Sequence, residues 1–194
     1  MSIKKQEILQ TALSLFYHKG IHEVGINEVI KAAGVAKKTM YHHFSSKEKL
    51  VLDALELRDE RFLSWLKLNF EQAESGEAAL IKMFHALTEW FNDKSDILGP
   101  FKGCFFINTS AEYRDDKSAI YQACQSHKVS VNALIKDQVD TFIMNEVDAM
   151  NLTSFLSTLK EGCITAALVQ NDKQAAEKAI PIVKSVIANP SLLK

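Results

Sequence analysis

An all-α fold follows from three features of the sequence. Apolar residues recur at helical spacing in one segment after another, nearly half of the chain (47%) is hydrophobic, and only seven glycines and three prolines interrupt 194 residues. A chain of this length buries a substantial core, as one large domain or two unequal ones. The expected division is a head with three short helices followed by a larger helical body.

The first helix runs from about Ile3 and ends near Gly20, with Ile8, Leu9, Ala12, Leu13 and Phe16 on its buried stripe. Lys4 and Lys5 stand at its start, where the helix dipole disfavours cations; a phosphate contact or plain solvation accounts for them. In the second helix Ile26, Val29, Ile30 and Ala33 keep the period, and Gly34 follows where a left-handed residue would stop the helix. The chain restarts at Ala36. Met40 and Phe44 fall four apart on one face, leaving Lys37, Lys38, Tyr41 and His42 on the opposite one. A two-turn helix with a buried apolar pair and a basic, aromatic outer row fits the major groove of DNA, although a solvated basic face has the same composition. His42 and His43 are adjacent and point about 100° apart on a helix, which does not suit chelation of one metal ion. Beyond Phe44, Ser45 or Ser46 caps the next helix, and Ser45 with Glu48 has the spacing of a capping box. Lys47 enters the first turn, where an ammonium beside free backbone amides suits a phosphate. No glycine or proline occurs from Lys47 to Gln72, so this helix extends about 39 Å.

The order of residues from Gly20 through GINEVIKAAGVAKKTMYHHFSSKEKL resembles the N-terminal domain of the TetR/AcrR family of bacterial transcription regulators, most closely between Ala33 and Leu50. The resemblance covers roughly Ile3 to Leu55 and implies a helix-turn-helix over about residues 26–46 whose recognition helix is Ala36 to Phe44. It sets the expected bounds of the head at residues 3–63 and of the body at residues 64–194. It also implies that Lys37, Lys38 and Thr39 face base edges, while Tyr41, His43 and Lys47 contact the DNA backbone. Three positions depart from the family pattern. Gly25 replaces a capping Thr or Ser, Ile30 replaces an alanine, and Ala36 replaces a capping Ser whose loss costs about 0.5 to 2 kcal/mol.

In the body, Ala79, Leu80, Met83, Leu87, Trp90 and Phe91 mark a helix from Glu77 to about Asn92. A loop from Lys94 to Gly103 carries Gly99-Pro100, and a short apolar helix then ends near Tyr113. That helix resembles the sixth helix of TetR-like regulators. The resemblance implies a ligand pocket lined by Phe62, Trp65, Trp90, Phe105, Asn108, Tyr121 and His127, with core packing as the competing role for each. A long helix is expected from about Lys117 to Asn145, followed by two more over 152–170 and 173–188. Leu152, Phe155, Leu156, Leu159, Cys163 and Ala166 make one stripe; Ile180, Val183 and Ile187 belong to another. Such a helix pair fits a four-helix dimer interface with a second copy. Pro181 removes one hydrogen bond from the last helix.

Charge is uneven along the chain. Residues 1–50 hold eight lysines against four glutamates, a balance of +4, which leaves −5 for the rest given the net charge of −1. A basic head on an acidic body suggests a nucleic-acid-binding module joined to a sensor or dimerisation module. No apolar run approaches the roughly 18 to 20 residues that span a bilayer, and the opening residues read as an amphipathic helix, so the expected location is cytoplasmic. Cys104, Cys124 and Cys163 are odd in number and widely spaced, unlike a zinc ligand set or a disulfide framework. No phosphate loop, dinucleotide fingerprint, HExxH or nucleophile elbow points to catalysis, and no cofactor or catalytic residue is assigned. The resemblance to TetR-like regulators implies a homodimeric repressor released from a palindromic double-stranded operator by a small apolar effector. The alternative is a thiol-based sensor of electrophiles or oxidants on the same scaffold, using Cys104 with Lys102 two residues before it.

Overall fold

The computed structural model describes residues 2–193. Among them lie nine α-helices and a closing 3₁₀ turn, and no strand, as the composition and periodicity predict. The head consists of α1 (Ile3–Lys19), α2 (Ile26–Ala32) and α3 (Lys37–His43), followed by α4 (Lys47–Glu71). The remaining helices are α5 (Gly76–Phe91), α6 (Phe105–Glu112), α7 (Ala119–Val139), α8 (Glu146–Val169) and α9 (Ala175–Ala188). Two compact units emerge. One holds the residues up to Glu60 together with Cys104–His127, the other Arg61–Gly103 together with the residues from Lys128 onward. The short helix α6 thus belongs to the unit that contains α1, α2 and α3.

Caps and turn residues explain where most helices begin and end. The Ser2 hydroxyl accepts the amide of Lys5 at 3.2 Å to start α1, and Gly20 at φ 89° ends it. Gly34 adopts φ 62° after α2, the left-handed stop expected from its position. Ser46, not Ser45, caps α4 by accepting the amide of Lys49 at 3.1 Å. That register puts Lys49 where a capping box would need a glutamate, so the Ser45 and Glu48 pair does not act as one. Ser75 caps α5 through the amide of Ala78, and Ser118 caps α7 through the amide of Tyr121. The loop before α6 is tied at its ends: Asp93 accepts the amide of Phe101 at 2.6 Å.

The long helix expected to reach Asn145 stops earlier. α7 ends at Val139, and α8 begins at Glu146 instead of Leu152. Asn145 is the reason, because its side chain accepts the amide of Asp148 at 3.0 Å and so acts as an N-cap. Phe142 and Ile143 consequently lie in the connection, half-buried, and not on a helix face. The first residue of α5 sets the other limit. A Cβ on Gly76 would overlap the Gln138 carbonyl oxygen and the Thr141 hydroxyl, so the end of α7 is seated directly on the backbone of α5.

The second unit has an aromatic centre. Trp90 meets Phe62 at 5.9 Å, Trp65 at 6.2 Å and Phe101 at 4.9 Å between ring centroids. α5 and α8 both pack on α9. Of the expected interface stripes, Leu152, Leu156, Cys163, Ile180, Val183 and Ile187 are buried within the single chain. Part of the apolar surplus read from the sequence is used internally, where α8 and α9 pack on each other and on α5. Phe155, Leu159 and Ala166 remain half-buried, whereas Met150, Leu168, Val169 and Ile182 are exposed.

Replacing Gly76 by Ala should destabilise the protein by about 1 to 3 kcal/mol, the usual range for overpacking. Thermal unfolding checks this, and an unchanged midpoint would show that α5 and α7 can separate without loss.

Candidate nucleic-acid interface

α3 has seven residues and no side-chain cap at Ala36, so its order comes from what it buries. Met40 and Phe44 are fully buried, and Val29 of α2 is buried with them. The turn between the two helices is closed by the amide of Val35 on the carbonyl of Ile30 at 3.2 Å. With that face fixed, Lys37, Lys38, Tyr41 and His42 are exposed, and Thr39 and His43 are half-buried. The rings of His42 and His43 meet edge to face at 5.0 Å.

The eight lysines of the first fifty residues do not serve alike. Lys4 pairs with Glu7 at 2.9 Å and Lys5 with Asp53 at 3.3 Å, so the two cations at the start of α1 are neutralised locally. Lys19 meets Glu28 at 2.6 Å and Lys49 meets Asp53 at 2.5 Å. The hydrogen bonds that the two ammonium groups donate to those carboxylates hold both above the usual lysine range. Lys47 is half-buried and donates to the carbonyl of Ile21 at 2.7 Å. Among the described residues Lys31, Lys37 and Lys38 have no acidic partner within ion-pair distance. Lys31 is a candidate that the sequence pattern did not single out, since it lies in the last turn of α2 outside the recognition helix.

The seven expected pocket residues fall into separate groups. Phe62, Trp65 and Trp90 are buried against one another in the second unit. In the first unit, Phe105 packs edge-on against Tyr17 with ring centroids 6.0 Å apart, while Asn108 and Tyr121 are half-buried. His127 is buried, stacks on Phe106 at 3.5 Å and shares a 2.6 Å hydrogen bond with Asp59. That is the hydrogen-bonded core histidine the apolar surroundings suggest. An open cleft of about 300 Å³ lies beside it, lined in part by Leu52, Leu55, Ala123 and Ser126. Asp59 and Phe106 were missed at the level of sequence; Asp59 falls four residues after Leu55 on a largely buried helix face, which is the available signal.

All three cysteines are buried and none forms a disulfide. Cys104 is the N-cap residue of α6, and its 6% exposure opposes the access that a reactive thiol needs. Cys163 lies 3.6 Å from the Ala175 carbonyl; burial, with help from Asp172, pushes its thiol up to about 11. Elsewhere in the second unit Lys160, although buried, contacts Glu161, which Lys128 also meets at 2.8 Å. Burial pushes the Glu161 carboxyl up, but the two ammonium groups outweigh it and leave it below its usual range.

Residues 8–54 match the family described as bacterial regulatory proteins, tetR family, and residues 76–183 match the tetracyclin repressor-like C-terminal domain. The chain therefore belongs to the TetR family of DNA-binding transcription regulators. It is similar to the HTH-type transcriptional repressor NemR of Escherichia coli, at 24% identity over 193 residues, covering 97% of this chain and 96% of NemR. Its fold superposes on that of SCO4454, a TetR-family transcriptional regulator from Streptomyces coelicolor, with a TM-score of 0.86 at 25% identity, covering 98% and 91% of the two chains. The reduced form of E. coli NemR follows at a TM-score of 0.81 and 21% identity, over 95% and 96%. Among the described residues no helix is long and apolar enough to cross a membrane.

Iodoacetamide at pH 8 should modify Cys163 slowly in the folded protein and quickly once it is unfolded, because the protonated thiol is inert. Peptide mass spectrometry reads this directly; rapid labelling of the native chain would show that the site opens.

Proposed function

We propose that the protein is a homodimeric repressor whose two α3 helices enter successive major grooves of a near-palindromic operator, about 34 to 36 Å apart. The observation that carries this reading is the pairing pattern on the head: four lysines are neutralised by carboxylates, while Lys37 and Lys38 stay exposed beside Tyr41 on a helix anchored by Met40 and Phe44. Lys37, Lys38 and Thr39 read base edges, and Tyr41, His42, His43 and Lys47 serve the backbone and its flank. The second copy covers the exposed side of α8 and α9, and the unspent apolar side chains there, Met150, Leu168, Val169 and Ile182, support that assignment.

Release follows from a small molecule bound in the body that favours the conformer unable to reach both grooves. Coupling of about 1 to 3 kcal/mol lowers operator affinity about 5 to 150-fold. α4 is the element that leads from the head, since it contributes residues to both compact units. An apolar cavity with a few polar groups suits lipids, drugs or aromatic metabolites.

Selection from a random duplex library should enrich a palindrome, with affinity falling steeply as salt rises. Lys38→Ala should weaken binding of that duplex by about 1 to 3 kcal/mol while leaving the dimer mass unchanged; equal affinity would remove Lys38 from the reading surface. Ile182→Glu should shift the chain toward monomer in light scattering, and an unchanged dimer mass would place the second copy elsewhere.

A further inference from the structure

The corner between α1 and α2 is held by two residues far from it in sequence. Gly20 turns the chain at φ 89°, and the next two amides meet one carboxylate at the end of α6. Ile21 N–H donates to Glu112 Oε1 at 2.9 Å, and His22 N–H donates to Glu112 Oε2 at 2.6 Å. A Cβ at position 20 would stand 3.2 Å from Oε1, so glycine also gives the carboxylate its room. From the other side Lys47 Nζ donates to the Ile21 carbonyl at 2.7 Å. The Ile21 side chain is fully buried, which keeps the corner from swinging away from either partner.

The carbonyl of Ile21 and the amide of His22 belong to one peptide group. Its oxygen faces an ammonium and its N–H faces a carboxylate, so each charge polarises the group for the other, and both bonds are of the stronger, charge-assisted kind. We infer that Glu112 is a positioning residue for Lys47: it holds the 21–22 peptide, and that peptide holds the ammonium at the start of α4. Glu112 acts in this arrangement through the peptide it holds and not on the phosphate itself. The inference rests on the reading of Lys47 as a backbone-phosphate contact, and it makes the end of α6 part of the reading head, so that a shift of α6 reaches the DNA contact through three hydrogen bonds.

The test is a double-mutant cycle on the duplex selected by the wild-type protein, with Glu112→Ala, Glu112→Gln, Lys47→Met and the combinations, each titrated across a salt series. Unfolding midpoints are recorded for every variant, and hydrogen exchange at the Ile21 and His22 amides reports the clamp without DNA. Glu112→Ala should speed exchange at those two amides and raise the operator Kd about three- to tenfold, the scale of one such hydrogen bond. Glu112→Gln, which keeps one acceptor oxygen and the side-chain volume, should lie between. Lys47→Met should flatten the salt slope by about 1, and in that background Glu112→Ala should change Kd by less than about twofold. Equal losses in both backgrounds, unchanged or tighter binding by Glu112→Ala, or unchanged exchange at the two amides overturns the inference. A wild-type chain that selects no duplex overturns the operator reading and the inference with it; a wild-type chain that binds while the two substitutions act independently overturns the inference alone.

Discussion

A helix of seven residues cannot stand by itself in water, where lengths below about 12 to 15 residues are marginal even for good helix formers. α3 exists because Met40 and Phe44 are driven into the core beside Val29, each contributing about 1.5 to 3 kcal/mol of apolar burial. Neither α2 nor α3 has a side-chain cap. The orientation of the reading surface therefore depends on two side chains and a left-handed glycine, and everything exposed on α3 is exposed because those three positions leave it no other face.

Electrostatics then decides which cations are available. A count of lysines makes the whole head look basic, but the carboxylates of Glu7, Glu28 and Asp53 take up four of the ammonium groups. The exposed pairs of Glu7 and Glu28 contribute little to stability, whereas Asp53 is buried between its two lysines. The effect of the pairing is to neutralise the lysines of α1 and Lys49, so that among the described residues the lysines of the head without a carboxylate partner are Lys31 on α2, Lys37 and Lys38 on α3, and Lys47 at the start of α4. Nonspecific attraction to DNA is reduced by the same pairing, since fewer cations remain to displace counterions.

Much of this was legible in the sequence where a local rule has one answer. Gly34 as a left-handed stop, Met40 and Phe44 as one face, and the bounds of α1 and α6 each follow from residue type and spacing. The reading failed where tertiary structure decides between permitted alternatives. Asn145 is an ordinary polar residue inside a helical pattern until its side chain caps α8, and Ser45 and Ser46 are equally good caps until the register is chosen. The stripes on α8 and α9 showed that those helices bury apolar faces but not against what, because an internal core and a subunit interface use the same residues. Glu112 carried no signal: a carboxylate at a helix C-terminus opposes the dipole, and its reason lies some ninety residues away at Ile21 and His22.

Most contacts between helices in this chain pass through side chains, which can rotate to absorb a shift of a few tenths of an ångström. The meeting of α5 with the end of α7 has no such layer on the α5 side. At Gly76 the backbone of α5 meets the Gln138 carbonyl oxygen and the Thr141 hydroxyl directly, so on the α5 side there is no χ angle to turn and no side chain to compress. A shift of the end of α7 toward α5 is therefore met by the backbone of α5 and by rotation of Thr141, and by no side chain of α5 at that point.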